Sequence, residues 1–169
     1  MESTYDNEWV EQMAELLVCE LTELISGIQL KRTTAPAQEP AGKKWEAIYG
    51  FVDGEYQIEL RFLAEHSMFF RLAQNMMGSE PEDSEVEEYA MEFFNVLCGR
   101  FISEIYTVAD RPVRFIPIRY ELVPDAAILG AQESLCTVHF CSDKQEMAAF
   151  SWTATPIKDL LRRSMHDKA

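Results

Sequence analysis

The stretch Lys44–Leu63, KWEAIYGFVDGEYQIELRFL, decides the class of fold. Two segments rich in aromatic and aliphatic residues, 44–52 and 55–63, flank Asp53-Gly54, a dipeptide typical of two-residue hairpin turns. Polar and apolar residues alternate through the second segment, which predicts a strand with one buried and one solvent-exposed face. Because strands buried on both faces of a parallel sheet are continuously apolar, this alternation favours an antiparallel sheet.

Helices and further strands are predicted on both sides of this hairpin. Apolar residues at three- and four-residue spacing predict three helices: 7–26, 64–77 and 84–108, the last with Ser84 and Glu87 as a capping box. Three later segments are predicted to be strands: 113–123, 133–142 and 146–154. A short basic tail from about residue 157 is expected to fray or to form a last helical turn.

This order of elements predicts the architecture. Strands that follow one another in hairpins, with helices grouped between them, favour an α+β fold. We expect a mostly antiparallel sheet packed with two long helices plus an N-terminal helix. The length of 169 residues suits a single domain spanning 1–169.

Composition narrows the functional classes. The chain has a formal net charge of −14, and 47% of its residues are hydrophobic. An acidic chain is poorly suited to nucleic acid or to anionic lipid, since both attract basic surfaces. The acidic start lacks the basic and apolar segments of an export signal, and no apolar run approaches the 18 residues of a membrane span. We therefore expect a cytoplasmic protein.

The usual signatures of catalytic and metal sites are absent from the sequence. The four cysteines form no C-x-x-C pair, and buried free thiols are expected. Cys136 and Cys141 lie five apart in a strand-like segment, so they should point to opposite faces and cannot share an ion. No phosphate-binding glycine loop or nucleophile elbow occurs. No metal ligand and no cofactor of its own are predicted.

The helix predicted over 84–108 carries an unusual exposed face. With Leu97 at the centre of the buried face, the opposite face holds Glu88, Glu92, Asn95 and Gly99, at helical spacing. Asn and Gly at exposed mid-helix positions each cost about 0.5 to 1 kcal/mol relative to Ala. The simplest explanation is a close backbone contact at Gly99 and a tolerated Asn95. The alternative is that this face has a function.

The segment Met91–Gly99, MEFFNVLCG, has the E-x-x-N-x-x-x-G pattern of the CheC/CheX family of chemotaxis phosphatases. The preceding segment Leu72–Gly78, LAQNMMG, resembles the family's helix that ends in a Met-Gly turn, and an acidic spacer follows it here too. The resemblance covers roughly residues 7–155. CheC-type members carry a second E-x-x-N motif, but Glu20–Glu23 reads ELTE without the asparagine. The chain therefore resembles the CheX type.

The resemblance implies an enzyme that hydrolyses the phospho-aspartate of a CheY-like receiver domain. It assigns to Asn95 the positioning of the attacking water, and to Glu92 a pairing with a receiver lysine. Glu88 and Gly99 would contact the partner. The receiver would supply the Mg²⁺, and the resemblance also implies a homodimer.

Two other functions stay open at the sequence level. A non-catalytic adaptor could bind a receiver or a flagellar-switch component through the same face. A small-molecule phosphatase is disfavoured because the motif face has no basic cradle for a phosphate. The seven acids of Ser79–Glu92 are typical of a solvated loop and helix start, although they could also steer a basic partner towards Glu92.

Overall fold

The computed structural model describes residues 7–34, 44–52, 57–110, 122–124 and 135–166. The helices are α1 (Asn7–Ser26), α2 (His66–Met77), α3 (Asp83–Val108) and α4 (Ala154–His166). The strands are β1 (Leu30–Thr33), β2 (Trp45–Val52), β3 (Ile58–Glu65), β4 (Leu122–Pro124), β5 (Leu135–Ser142) and β6 (Met147–Thr153).

The strands form one sheet in the order β1-β5-β6-β3-β2-β4, and every described pairing is antiparallel. Helices α1, α2 and α3 contact one another over this sheet. The predicted α+β class with an antiparallel sheet is confirmed. Of the strand predicted over 113–123, only its end lies within the described residues, where β4 begins at Leu122.

Aromatic rings join the helix layer to the sheet. Phe93 of α3 meets Phe62 of β3 edge-on, with ring centroids 5.4 Å apart. Eight residues further along α3, Phe101 packs against Phe150 and Trp152 of β6, with ring centroids 5.2 and 5.5 Å apart. All five rings are buried, so α3 is fixed to the middle of the sheet at two separate levels.

The hairpin is confirmed, but its register differs from the one that a two-residue turn at Asp53-Gly54 would impose, and residues 53–56 themselves lie outside the described residues. Val52 pairs with Ile58, so residues 53–57 connect the paired strands. A two-residue turn would pair Val52 with Glu55 and would turn Ile48 away from the face that carries Phe62. The observed register pairs Ile48 with Phe62, and both side chains are buried. Core packing therefore outweighs the local turn signal.

The prediction that one face of β3 is solvent-exposed is also partly wrong. Arg61 is buried, with its guanidinium carbon 4.7 Å from the centroid of the Tyr49 ring. Glu65, expected in the following helix, is instead the last residue of β3. There its carboxylate accepts a hydrogen bond from the Met147 backbone N–H. A charged side chain can be buried where it finds such partners.

Helix α3 begins earlier than the sequence predicts. The capping box uses Glu82 and Glu85 rather than Ser84 and Glu87, and the Glu85 carboxylate accepts the Glu82 backbone N–H at 3.1 Å. Several acids in succession can each satisfy the free amides of a helix start, so local sequence does not select one of them.

Of the two alternatives predicted for the basic tail, the helical one is observed, and the helix is longer than the single turn expected. Residues 154–166 form α4, and Ile157, Leu160 and Leu161 belong to the hydrophobic core. Their spacing of three and four residues places them on one helical face. The neighbouring Lys158, Asp159 and Arg162 are exposed. Because the segment contains so many charged residues, its amphipathic pattern was not recognised in the sequence.

Candidate functional site: the exposed stripe of helix α3

The buried face of α3 is the one that the sequence predicts. Leu97, the predicted centre of that face, is buried, and eight other residues of α3 are buried with it: Val86, Ala90, Phe93, Phe94, Cys98, Phe101, Ile102 and Ile105. This nearly continuous apolar face explains why a 26-residue helix keeps one orientation on the sheet.

The opposite face presents the predicted functional residues. Glu88, Glu92 and Asn95 are exposed, and Gly99 is half-buried. We call these four residues the α3 stripe. Neighbours three and four residues apart on a helix have Cβ atoms about 5–6 Å apart, so the Glu92 and Asn95 side chains leave the helix next to each other.

The polar groups of the motif are available to a partner. Within the described part of the chain, neither the Glu92 nor the Asn95 side chain makes a hydrogen bond or ion pair. Both would therefore dock without first breaking an internal bond. A carboxylate accepts hydrogen bonds and pairs with cations, whereas a carboxamide both accepts and donates without a change of charge.

The backbone beneath the motif is held firmly. Phe93 and Phe94, the two residues between Glu92 and Asn95, are fully buried. The edge-on contact of Phe93 with Phe62 anchors this turn of the helix directly to β3. The backbone of this turn is therefore fixed before any partner binds, which lowers the entropic cost of docking.

Helix α1 does not repeat this arrangement. Glu20 and Glu23 are exposed, but Thr22 is buried and donates its hydroxyl hydrogen to the Val18 carbonyl oxygen at 2.6 Å. No exposed asparagine accompanies Glu20. Helix α1 therefore offers no carboxylate and carboxamide pair at Glu20–Glu23.

A second polar cluster, which the sequence did not suggest, lies where β3 meets α2. His66 Nδ1 is 2.8 Å from Glu46 Oε1, and Arg71 binds both Glu146 and Asp143. Hydrogen bonds to Arg71 lower the pKa of Asp143. The residues come from distant parts of the chain, so no spacing pattern could have revealed them.

This second cluster borders an open cleft of about 420 Å³ lined by Lys44, Glu65, His66, Ser67, Lys144, Gln145 and Glu146. Its acids are already engaged: Glu146 accepts from Arg71 and Ser142, and Glu65 accepts from Met147. These bonds join α2 to the β5–β6 turn. The cluster therefore has a structural explanation that the α3 stripe lacks.

The cysteines are less uniformly buried than predicted. Cys98 is buried, but Cys19, Cys136 and Cys141 are half-buried, and all four are free thiols. Cys136 and Cys141 occupy positions of opposite facing in β5, as predicted. Burial raises the pKa of Cys98 well above its usual value. Among the described residues, no three His, Cys, Asp or Glu side chains are grouped to hold a metal ion.

Comparison with solved structures identifies the fold. The chemotaxis protein CheX from Vibrio vulnificus superposes with a TM-score of 0.63 at 14% identity, over 83% of this chain and 95% of that one. The chain has the CheC/CheX-type fold. CheX of Borrelia burgdorferi, solved in complex with CheY, BeF₃ and Mg²⁺, gives a TM-score of 0.60 at 11% identity, over 88% and 97% of the two chains.

FliY of Thermotoga maritima also shares this fold, with a TM-score of 0.60 at 11% identity over 99% of this chain and 100% of that one. No family model matches the sequence, and no curated protein does. In the described ranges of the chain, no helix is both long enough and apolar enough to span a bilayer.

Proposed function

We propose that this protein is a phosphatase that hydrolyses the phospho-aspartate of a CheY-like receiver domain. The observation that carries the proposal is the exposed pair of Glu92 and Asn95 on a helix anchored to the core. The CheC/CheX-type fold supports it, as does the Borrelia burgdorferi neighbour, which was solved together with CheY.

The chemistry requires one well-placed polar group. Hydrolysis forms a bond from the water oxygen to phosphorus and breaks the bond from phosphorus to the aspartate oxygen. The products are inorganic phosphate and a free aspartate carboxylate, and the water proton passes to the phosphate or to solvent. The receiver's own Mg²⁺ and lysine neutralise the phosphoryl oxygens, so the missing contribution is alignment of the water.

Asn95 is suited to that alignment. Its carboxamide oxygen can accept a hydrogen bond from the water, and it stays uncharged at all physiological pH values. Holding two reactants in line lowers the barrier without any covalent intermediate. On this proposal the chain needs neither a nucleophile nor a metal of its own.

Glu92 is assigned the docking role. A carboxylate one helical turn from Asn95 can pair with a lysine beside the receiver's phosphorylation site, which fixes how deeply Asn95 enters. Glu88 and the half-buried Gly99 extend the contact along the α3 stripe. Like the cytoplasmic location and the homodimer, these contacts belong to the proposal.

The second candidate is a non-catalytic adaptor, and the shared fold of FliY favours it. The two candidates differ in turnover. A phosphorylated receiver is mixed with a twentieth of its concentration of this protein, and the loss of phosphate is followed. An enzyme clears the whole population several times faster than spontaneous decay, whereas an adaptor leaves the bulk decay rate unchanged. An unchanged rate with every CheY-like receiver of the source organism would contradict the phosphatase.

A further inference from the structure

The α3 stripe is bordered by an exposed apolar side chain. Across the described residues, large hydrophobic side chains are exposed at three positions: Leu16 at 57%, Leu24 at 80% and Val96 at 41%. Two of them lie on α1, and Val96 lies on α3 directly after Asn95. Isolated exposed apolar residues are common on protein surfaces, so position decides whether one carries meaning.

The position of Val96 is specific. It lies four residues after Glu92 and three before Gly99, so it is a helical neighbour of both. Glu92, Asn95, Val96 and Gly99 thus form the corners of one small patch. Val is also a poorer helix former than Ala, Leu or Lys, so helix stability alone does not explain its use here.

We infer that Val96 is the apolar recognition residue of the docking surface, and that it packs against an apolar side chain beside the phosphorylation site of the receiver. The inference rests on the proposed function and adds a specificity determinant to it. The acids at 88 and 92 make this face complementary to a basic partner surface, and a second copy of this acidic chain would be repelled there.

The contact has a physical consequence for the neighbouring ion pair. An apolar residue at the edge of a contact excludes water from the groups that it surrounds. Charges in a drier environment attract each other more strongly, so a packed Val96 would strengthen pairing by Glu92. Val96 should therefore govern the affinity of docking, whereas Asn95 should govern the rate of the chemical step.

The test compares two acidic substitutions at exposed apolar positions. Val96→Asp should raise the KM for a phosphorylated CheY-like receiver at least about tenfold, with kcat preserved, because it places a charge where an apolar contact is expected. Leu24→Asp, the matched control on α1, should leave both parameters unchanged. Val96→Thr keeps the β-branched shape and should raise KM by a few-fold. Because all these sites are exposed, thermal melting should show that each variant folds.

Direct binding separates this inference from the proposed function. The probe is a CheY-like receiver loaded with BeF₃⁻ and Mg²⁺, and its Kd is measured against each variant by calorimetry. If the wild-type protein binds but does not hydrolyse, and Val96→Asp loses binding, the phosphatase proposal fails and the recognition role stands. A wild-type Kd for Val96→Asp overturns the recognition role, whatever the activity. The recognition role is also overturned if Val96→Asp changes only self-association. It is overturned as well if the wild-type protein binds no receiver.

Discussion

Glu92 is an exposed carboxylate whose neighbours on the helix are polar or apolar but not basic. Its negative charge is therefore not neutralised from within α3. In the proposed complex, a lysine of the receiver would pair with Glu92 at the edge of a water-excluding contact. The attraction is then larger than between two fully solvated charges.

Replacing Glu92 with Gln keeps the size of the side chain and removes its charge. We expect KM for the phosphorylated receiver to rise on the order of thirtyfold, because a partly desolvated ion pair is lost. Glu87→Gln is the matched control: Glu87 is exposed on the same helix, but it lies about 140° around the axis from Glu92. An equal rise in KM for both variants would show a general effect of charge and not a specific pair.

Cysteine reactivity offers a second prediction at the residue scale. The Cys98 thiol is fully buried and its pKa is raised by desolvation, so little thiolate forms at pH 8. Cys19 and Cys136 also have raised pKa values, but they are only half-buried. In the folded protein Cys98 should react with a thiol reagent more slowly than the other three cysteines. Mass spectrometry of the labelled peptides measures the extent of reaction at each cysteine. Rapid native labelling of Cys98 would contradict its placement, and labelling in denaturant is the control.

At the scale of elements, two left-handed glycines end helices. Gly27 has φ +71° after α1, and Gly78 has φ +76° after α2, where its N–H donates to the Gln74 carbonyl oxygen at 2.8 Å. Such a conformation is unstrained only for glycine and is tolerated next best by asparagine. Asn75 adds a link between the same two helices, because its side-chain amide donates to the Ser26 carbonyl oxygen at 2.9 Å.

Gly78→Ala should lower the free energy of unfolding by about 1 kcal/mol, since an L side chain is disfavoured at positive φ. No atom lies within 4 Å of the Cβ that would be added, so the cost comes from the backbone alone. Gly78→Asn should cost less. Chemical denaturation measures both, and equal stability of Gly78→Ala and the wild-type protein would contradict the left-handed cap.

The elements also show which sequence signals were sufficient. The bounds of α1 match the prediction because an apolar periodicity and a glycine stop agree there. The exposed motif face was predictable for the same reason: nine buried positions of α3 leave one possible orientation. The hairpin register was not predictable, because it depends on which faces of β2, β3 and β6 meet the aromatic side chains of α3.

At the scale of the whole molecule, the last helix closes the core. The contact of α4 with α3 brings its apolar face into the hydrophobic core formed by the described residues. This placement could not be predicted because it depends on a surface formed by distant segments. For the same reason the sequence did not reveal the cluster of Arg71, Asp143 and Glu146, which joins residues more than 70 positions apart.

Leu160→Ala removes a side chain that is 1% exposed, and we expect unfolding to become easier by about 2–5 kcal/mol. Arg162→Ala, two residues away and exposed, is the control and should change stability by less than about 0.5 kcal/mol. Thermal and chemical denaturation measure both. A Leu160→Ala protein as stable as the wild type would mean that α4 does not belong to the core.

In the proposed function, an amide on a rigid helix completes a hydrolytic site that the receiver only partly provides. The most direct test measures the rate of receiver dephosphorylation by Asn95→Ala at a saturating receiver concentration. The control is Gln74→Ala, which removes an exposed amide from α2. We predict a rate about a hundredfold below that of the wild-type protein, with the Kd for the BeF₃⁻-loaded receiver retained. A wild-type rate for Asn95→Ala would contradict the account.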